Sequence, residues 1–208
     1  MNEITLLAVS KTFGPEAVIE ALGAGQSAFG ENYVQEGVEK VLAVRGLLPP
    51  GAAPVVWHCI GPLQSNKTRL VASHFDWVQS VDRLKVAQRL SEQRPAGLPP
   101  LQVCIQVNAD GGASKSGVSP QDLPGLAEMV AGLPGLRLRG LMSIPDPVEG
   151  EEAQRAVFLR VRDLFEALRA RGHDLDTLSM GMSDDLEPAI AAGSTLVRVG
   201  RAIFGSRG

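Results

Sequence analysis

The sequence lacks most of what would build a cross-linked, metal-bound or nucleic-acid-binding protein. Its 208 residues hold two cysteines, Cys59 and Cys104, each inside an apolar run. Thiols so placed read as core packing, and they provide neither a disulfide framework nor a zinc site. The histidines His58, His74 and His173 show no metal-ligand spacing. With 20 basic residues against 23 acidic ones, the formal net charge is -3, and no basic stripe occurs. Nucleic acid is therefore not an expected partner. The opening "MNEITLL" has no basic n-region, and no apolar run is long enough to span a bilayer. A soluble, cytoplasmic protein without secretory signal or membrane contact is expected. Ser/Gly tracts and charge blocks are missing as well, so no linker divides the chain and one domain over 1–208 is expected.

What is present is an alternation. Short aliphatic runs rich in β-branched residues predict strands at 5–11, 28–30, 55–61, 77–81, 102–108, 136–143, 177–183 and 195–199. Segments of helical period lie between them. In 15–24, Val18, Ile19, Ala21 and Leu22 share a face; in 151–171, Val157, Val161, Leu164, Phe165 and Leu168 fall at spacings of three and four. Gly23, Gly97, Gly132 and Gly172 fit left-handed helix C-caps. Strands alternating with helices imply parallel pairing with right-handed crossovers, in a closed (β/α)8 TIM barrel or an open doubly wound sheet. The count of eight favours the α/β barrel. So do the polar strand ends: Lys11, Glu31 with Asn32, Gln64 with Ser65, Ser80, Asn108, Ser143, Ser183 and Arg198. A barrel gathers these into one ring at its top face, whereas an open sheet spreads them along a line.

Lys11 ends a strand that reads as buried. A lone strand-end lysine usually snorkels to solvent. By alternation, though, Lys11 shares a face with Leu7 and Val9. If that face is the barrel interior, desolvation makes Lys11 a nucleophilic amine suited to a Schiff base. The stretches "SMGMS" (179–183) and "VRVGRAIFG" (197–205) occupy the places where many barrels bind phosphate. They offer Gly181 and Gly200 for close backbone approach. Ser183 reads equally as an N-cap of the following helix. Asp184 and Asp185 suit that helix's dipole but must point away from an anion. Arg198, on the interior face with Leu196, needs a partner, with Glu31 or the acidic residues after strand seven as candidates. Asn32 and Gln35 in "NYVQ" read as a capping box. An amine for an aldehyde, a phosphate cradle opposite it and an arginine between them suggest pyridoxal 5'-phosphate (PLP).

Eight ordered blocks then resemble one family: "LLAVSKT", "FGENYVQE", "WHCIGPLQSNK", "SVD", "KSGV", "GLMSIP", "LSMGMSDD" and "STLVRVGRAIFG". They are similar to the pyridoxal phosphate homeostasis protein family, relatives of the alanine racemase barrel domain, in order from Leu6 to Gly205. The resemblance implies PLP held as an aldimine on Lys11, with Asn32 near its ring and Arg198 facing the pyridine nitrogen. It also implies Ser183, Gly200 and Arg201 at the phosphate, and His58 and Met142 close to the ring or barrel mouth. Family members usually carry a helix before the first strand. Only four residues precede Thr5 here, so one side of the barrel is expected to be less covered. The family often has threonine where this chain has Arg201, which exchanges a hydroxyl contact for a charge-assisted one.

Three functions from different classes remain at this point. A carrier or buffer in PLP (vitamin B6) homeostasis, with PLP-dependent apoenzymes as candidate recipients, is the first. A low-activity PLP-dependent amino-acid racemase is the second, and a cofactor-free, phosphate-binding barrel isomerase is a third class. A cationic Arg198 disfavours a proton on the ring nitrogen and so weakens the electron sink. Racemisation also needs acid–base groups on both faces of the substrate carbon. Lys11 serves one face, and the chain's single tyrosine, Tyr33, is the only residue of the type that serves the other in alanine racemase. An open upper face leaves water in the site. Without a second domain, a monomer is the default. The loop lysines Lys67 and Lys115 read as solvated surface charges, or as transient second attachment points for PLP during release.

Overall fold

In the computed structural model, which describes residues 4–109, 111 and 116–205, eight parallel strands close into a barrel in sequence order. They are β1 (Thr5–Val9), β2 (Ala28–Glu31), β3 (Val56–Cys59), β4 (Trp77–Val81), β5 (Leu101–Gln106), β6 (Leu136–Met142), β7 (Thr177–Ser179) and β8 (Leu196–Val199). The helices that follow them are α1 (Pro15–Gly23), α2 (Val34–Leu47), α3 (Thr68–His74), α4 (Leu84–Gln93), α5 (Leu123–Ala131), α6 (Glu151–Ala170), α7 (Leu186–Ala191) and α8 (Arg201–Phe204). β1 pairs with β8 with Leu7 opposite Arg198, which closes the ring. The barrel expected from the alternation is the observed fold, and no helix among the described residues is long and apolar enough to cross a membrane.

Strand alternation sorts the core into two parts. Ala8, Phe29, Trp57, Val78, Leu141 and Leu178 face outward and pack against the helices in one continuous apolar layer. α6 enters that layer through Val157, Val161, Phe165 and Leu168, the stripe that its spacing predicts. Inside the barrel a small apolar cluster of Leu7, Ala28, Ile60 and Leu196 fills only one side. Buried polar side chains, among them His58, Gln79, Ser179 and Arg198, make up much of the rest of the plug. Barrel interiors are usually aliphatic, so these polar groups must satisfy one another. Cys59 and Cys104 are free and buried, as the apolar runs around them imply.

Local turn chemistry departs from expectation at several strand ends. β7 stops at Ser179 instead of running to 183, because Gly181 takes φ 92° and turns the chain away. A Cβ at Gly181 would lie 2.5 Å from the Ala189 Cβ, so the turn also packs too closely on α7 for a side chain. Of the four glycines expected at left-handed C-caps, only Gly172 has positive φ, at 95°; after α1 it is Gly25 that does so, at 94°. The capping expectations also change. Tyr33, not Asn32, sits at the α2 N-cap, with no side-chain capping bond. Asp185, not Ser183, precedes α7, and its Oδ1 accepts the Met182 amide at 2.6 Å.

Candidate functional site

The C-terminal ends of the strands form the rim on which Lys11 stands. With Leu7 inside and Ala8 and Ser10 buried on the opposite face, Lys11 follows two residues after the end of β1 and is half-buried. The main chain here is strained: Thr12, the next residue, has φ 71° and is the one non-glycine with positive φ among the described residues. A β-branched residue in that region is an outlier, and such strain concentrates at functional sites.

Arg198 lies in the barrel four residues below the level of Lys11, since its register partner is Leu7. It is 4 % exposed. Nη1 donates to the Ser179 carbonyl at 2.9 Å and the Ser179 hydroxyl at 2.7 Å, and Nη2 donates to the Ser143 carbonyl at 2.9 Å. Its partners are therefore neutral. The ion pair with Glu31 that the sequence suggested does not form, because Glu31 lies on the other side of the strand wall and pairs with Lys40. Burial pulls the guanidinium down to about 10, with the Asp185 charge opposing, and Arg198 remains a cation at neutral pH.

The direction of the bonds beneath Arg198 follows from its having only donors. Ser179 must accept from Arg198, and it gives its own proton to Gln79 Oε1 at 2.6 Å. Gln79 then turns its amide Nε2 toward His58 Nδ1 at 2.9 Å. His58 is thereby set as the neutral tautomer with its proton on Nε2, and burial pushes the imidazole down to about 3. This places His58 differently from the expected position near the ring or mouth. Its ring stacks on Trp77 at 5.0 Å, and it lines a depression at the opposite end of the barrel with Thr5, Val56 and Thr195. Its link to the upper site is the hydrogen-bonded chain. Met142 is fully buried at the end of β6 beside Ser143 and opposite Ser179 in the register.

The two turns singled out for phosphate meet at the rim. The Arg198 amide bonds the Gly181 carbonyl at 3.0 Å, and the Arg201 guanidinium pairs with Asp184 at 2.6 Å. Ser183 is exposed on the first turn. Gly200 packs on β1, where a Cβ would come 3.3 Å from the Val9 carbonyl oxygen, so this backbone lies two residues from Lys11. Arg201 is engaged with Asp184, and most of both side chains is exposed. Asn32 is held where β2 leaves the barrel: a Cβ at Gly61 would lie 2.1 Å from the Asn32 carbonyl, so only glycine permits that approach. Lys67 is half-buried in the loop after β3. Lys115 lies outside the described residues.

Sequence reasoning missed a second group of charges behind Lys11. Lys40, from α2, is buried and donates to Glu31 Oε1 at 2.7 Å and to the Ser10 carbonyl at 2.7 Å. Burial raises the Glu31 carboxyl above its ordinary value, against the lowering effect of Lys40 and Ser10. The one available signal was Lys40 in a helix whose neighbouring positions Val38, Val41 and Val44 are apolar.

A lysine at the end of β1, an arginine in β8 beneath it and two converging turns are set in a barrel of a known kind. The alanine racemase N-terminal domain model matches residues 1–208. The fold is shared with an alanine racemase of Clostridium difficile 630, at 15 % identity and a TM-score of 0.78 over 100 % of this chain and 53 % of that one. Narrower likenesses follow. A Pseudomonas aeruginosa pyridoxal phosphate homeostasis protein is 60 % identical over 204 residues, 98 % of this chain and 85 % of the relative. One from Escherichia coli K12 is 57 % identical over 206 residues, 99 % and 87 %. PipY of Synechococcus elongatus, solved with PLP bound, superposes with a TM-score of 0.86 at 36 % identity, over 97 % of this chain and 92 % of that one. The chain belongs to the pyridoxal phosphate homeostasis protein family.

Proposed function

We propose that this protein binds PLP through Lys11 and keeps it in custody as a carrier or buffer, with PLP-dependent apoenzymes as recipients. The observation that carries the reading is the seam of β1 and β8: Lys11 lies four residues beyond Leu7, whose register partner is the buried cation Arg198, held by Ser143 and Ser179. The residues fit the cofactor. The Lys11 amine can add to an aldehyde carbon and expel water, forming a carbon–nitrogen double bond. Arg198 would face the pyridine edge of bound PLP. The turns at Ser183 and at Gly200–Arg201 offer small residues and main-chain amides to the phosphate, with Arg201 able to exchange Asp184 for it. Asn32 and Met142 would border its ring.

Bound PLP supplies an electron sink when its ring nitrogen carries a proton. Arg198 works against that proton. It is cationic, its Nη donors are fixed by carbonyls and a hydroxyl, and the neutral chain through Gln79 to His58 brings no carboxylate to the pyridine edge. Tyr33, the one tyrosine, is 59 % exposed at the start of α2, outside any enclosure that would tune it as a second base. These features favour retention of the cofactor over turnover.

The test is a visible spectrum of the purified protein titrated with PLP, wild type against Lys11→Ala, with borohydride fixation and peptide mapping. A long-wavelength band and a fixed label at Lys11, both lost in the variant, are expected. A colourless, unlabelled wild type refutes binding through Lys11. Incubation of the loaded protein with single amino-acid enantiomers in D2O tests custody: exchange at the α-carbon that depends on Lys11 would mark a racemase instead.

A further inference from the structure

We propose that Glu31, Glu36 and Lys40 are positioning residues that clamp the main chain on both sides of Lys11, and that the clamp serves the covalent capture of an aldehyde and not the stability of the barrel. The inference rests on the reading of Lys11 given above.

The contacts converge on the two residues that flank Lys11, Ser10 and Thr12. Before Lys11, the Ser10 hydroxyl donates to Glu31 Oε1 at 2.6 Å, and the Ser10 carbonyl accepts from Lys40 Nζ at 2.7 Å. After it, the Thr12 amide donates to Glu36 Oε1 at 2.6 Å. Lys40 ties the two sides together, with Nζ 2.7 Å from Glu31 and 3.3 Å from Glu36. The Phe13 amide closes the turn on the Ser10 carbonyl at 3.1 Å. The clamp thus holds the main chain immediately before and after Lys11. The positive φ of Thr12 fits this picture, because a strained residue persists only where its surroundings over-determine it.

Stability does not explain such a group. The Glu31 and Lys40 side chains are 0 % and 4 % exposed, and a buried ion pair is often no better than an apolar pair of the same volume. Glu31 Oε2 is buried with no hydrogen-bond partner, a further cost. α2 also gives up a side chain to admit the pair: a Cβ at Gly37 would lie 2.8 Å from Phe75 Cζ and 3.0 Å from Glu31 Cβ. What these costs secure is the direction in which the chain leaves β1. Nucleophilic capture is sensitive to placement at the scale of an ångström, whereas binding of a ring and a phosphate is not tied to the Lys11 backbone.

That difference sets the experiment. PLP and pyridoxine 5'-phosphate share ring and phosphate, but the second has no aldehyde. Glu36→Ala removes the acceptor for the Thr12 amide from a partly exposed position; Glu36→Gln keeps an acceptor there. The double variant Glu31→Leu with Lys40→Met replaces the buried charges by apolar volume. Dissociation constants for both ligands are measured on the full chain, together with apoprotein melting. For Glu36→Ala and the double variant, PLP affinity is expected to fall about tenfold while pyridoxine 5'-phosphate affinity changes less than about twofold. Glu36→Gln is expected to recover most of the loss. PLP affinity unchanged in both variants, or both ligands weakened in parallel with lowered melting, overturns the clamp. A wild type that takes no borohydride-fixed label at Lys11 refutes the reading of Lys11 itself, and the clamp with it, without reference to the variants.

Discussion

Acidification from neutrality to about pH 5 is expected to cost this protein stability through His58 in particular. His58 is 2 % exposed, and burial takes its imidazole down to about 3 from an ordinary 6.5. At about pH 5 the unfolded chain carries a proton on this ring and the folded chain does not. The unfolded state then binds more protons, so stability is complete above 6.5 and falls as the pH drops through the interval toward 3. Each unit is worth about 1.4 kcal/mol, which makes the step from 6.5 to 5 worth about 2 kcal/mol. The geometry agrees in sign: a second proton on Nδ1 would face the Gln79 amide and reverse the chain that holds Ser179 against Arg198. Urea unfolding at about pH 7.5 and about pH 5, on the wild type and on His58→Gln, measures the effect. Glutamine keeps an acceptor for Gln79 and does not titrate, so the variant should lose about 2 kcal/mol less than the wild type over this span. An equal loss in both proteins, or an NMR titration of His58 with a midpoint near its ordinary value, would refute the burial argument.

The remaining predictions concern packing and the rim. Gly140→Ala places a Cβ 1.7 Å from the Thr177 carbonyl oxygen, which forces β6 and β7 apart; a loss of about 3 kcal/mol or more, read by thermal melting, is expected. Arg201→Ala removes an ion pair whose members are 67 % and 83 % exposed. Urea unfolding should change by no more than about 0.5 kcal/mol, while PLP affinity falls if the guanidinium reaches the phosphate.

Much of the fold was legible because its signals are local. β-branched runs and the stripe of α6 follow from periodicities of two and 3.6 residues, and eight repeats admit few closures. β4 was located to the residue, at Trp77–Val81. Strand ends were read too long wherever a turn intervenes, as at Gly181, because apolar composition continues past the last ladder bond. The start of α2 at Tyr33 differs from the Asn32 cap the sequence suggests, and the start of α7, left open between Ser183 and later residues, falls at Asp185; Asn32 and Ser183 have the chemistry of caps but sit where strands give way to rim turns. Register shifts in β4–β5, between Val78 and Val81, and in β5–β6, between Val103 and Cys104, leave no mark in composition.

The candidate site divides along the same line. Alternation with Leu7 and Val9 points Lys11 toward the barrel interior, and the turns at Gly181 and Gly200 follow from their position after the last two strands. These are properties of a chain segment and its neighbours, and the amino-acid order determines them. The partners of those residues are a different matter. Ser179 and Gln79 are 100 residues apart in sequence and bonded across the barrel; Lys40 reaches back 30 residues to the Ser10 carbonyl; His58 closes the lower end instead of the mouth. Only the closed barrel decides these, because the tilt and stagger of its strands set which side chains share a level, and a hydrogen bond exists only at a distance that no single strand specifies.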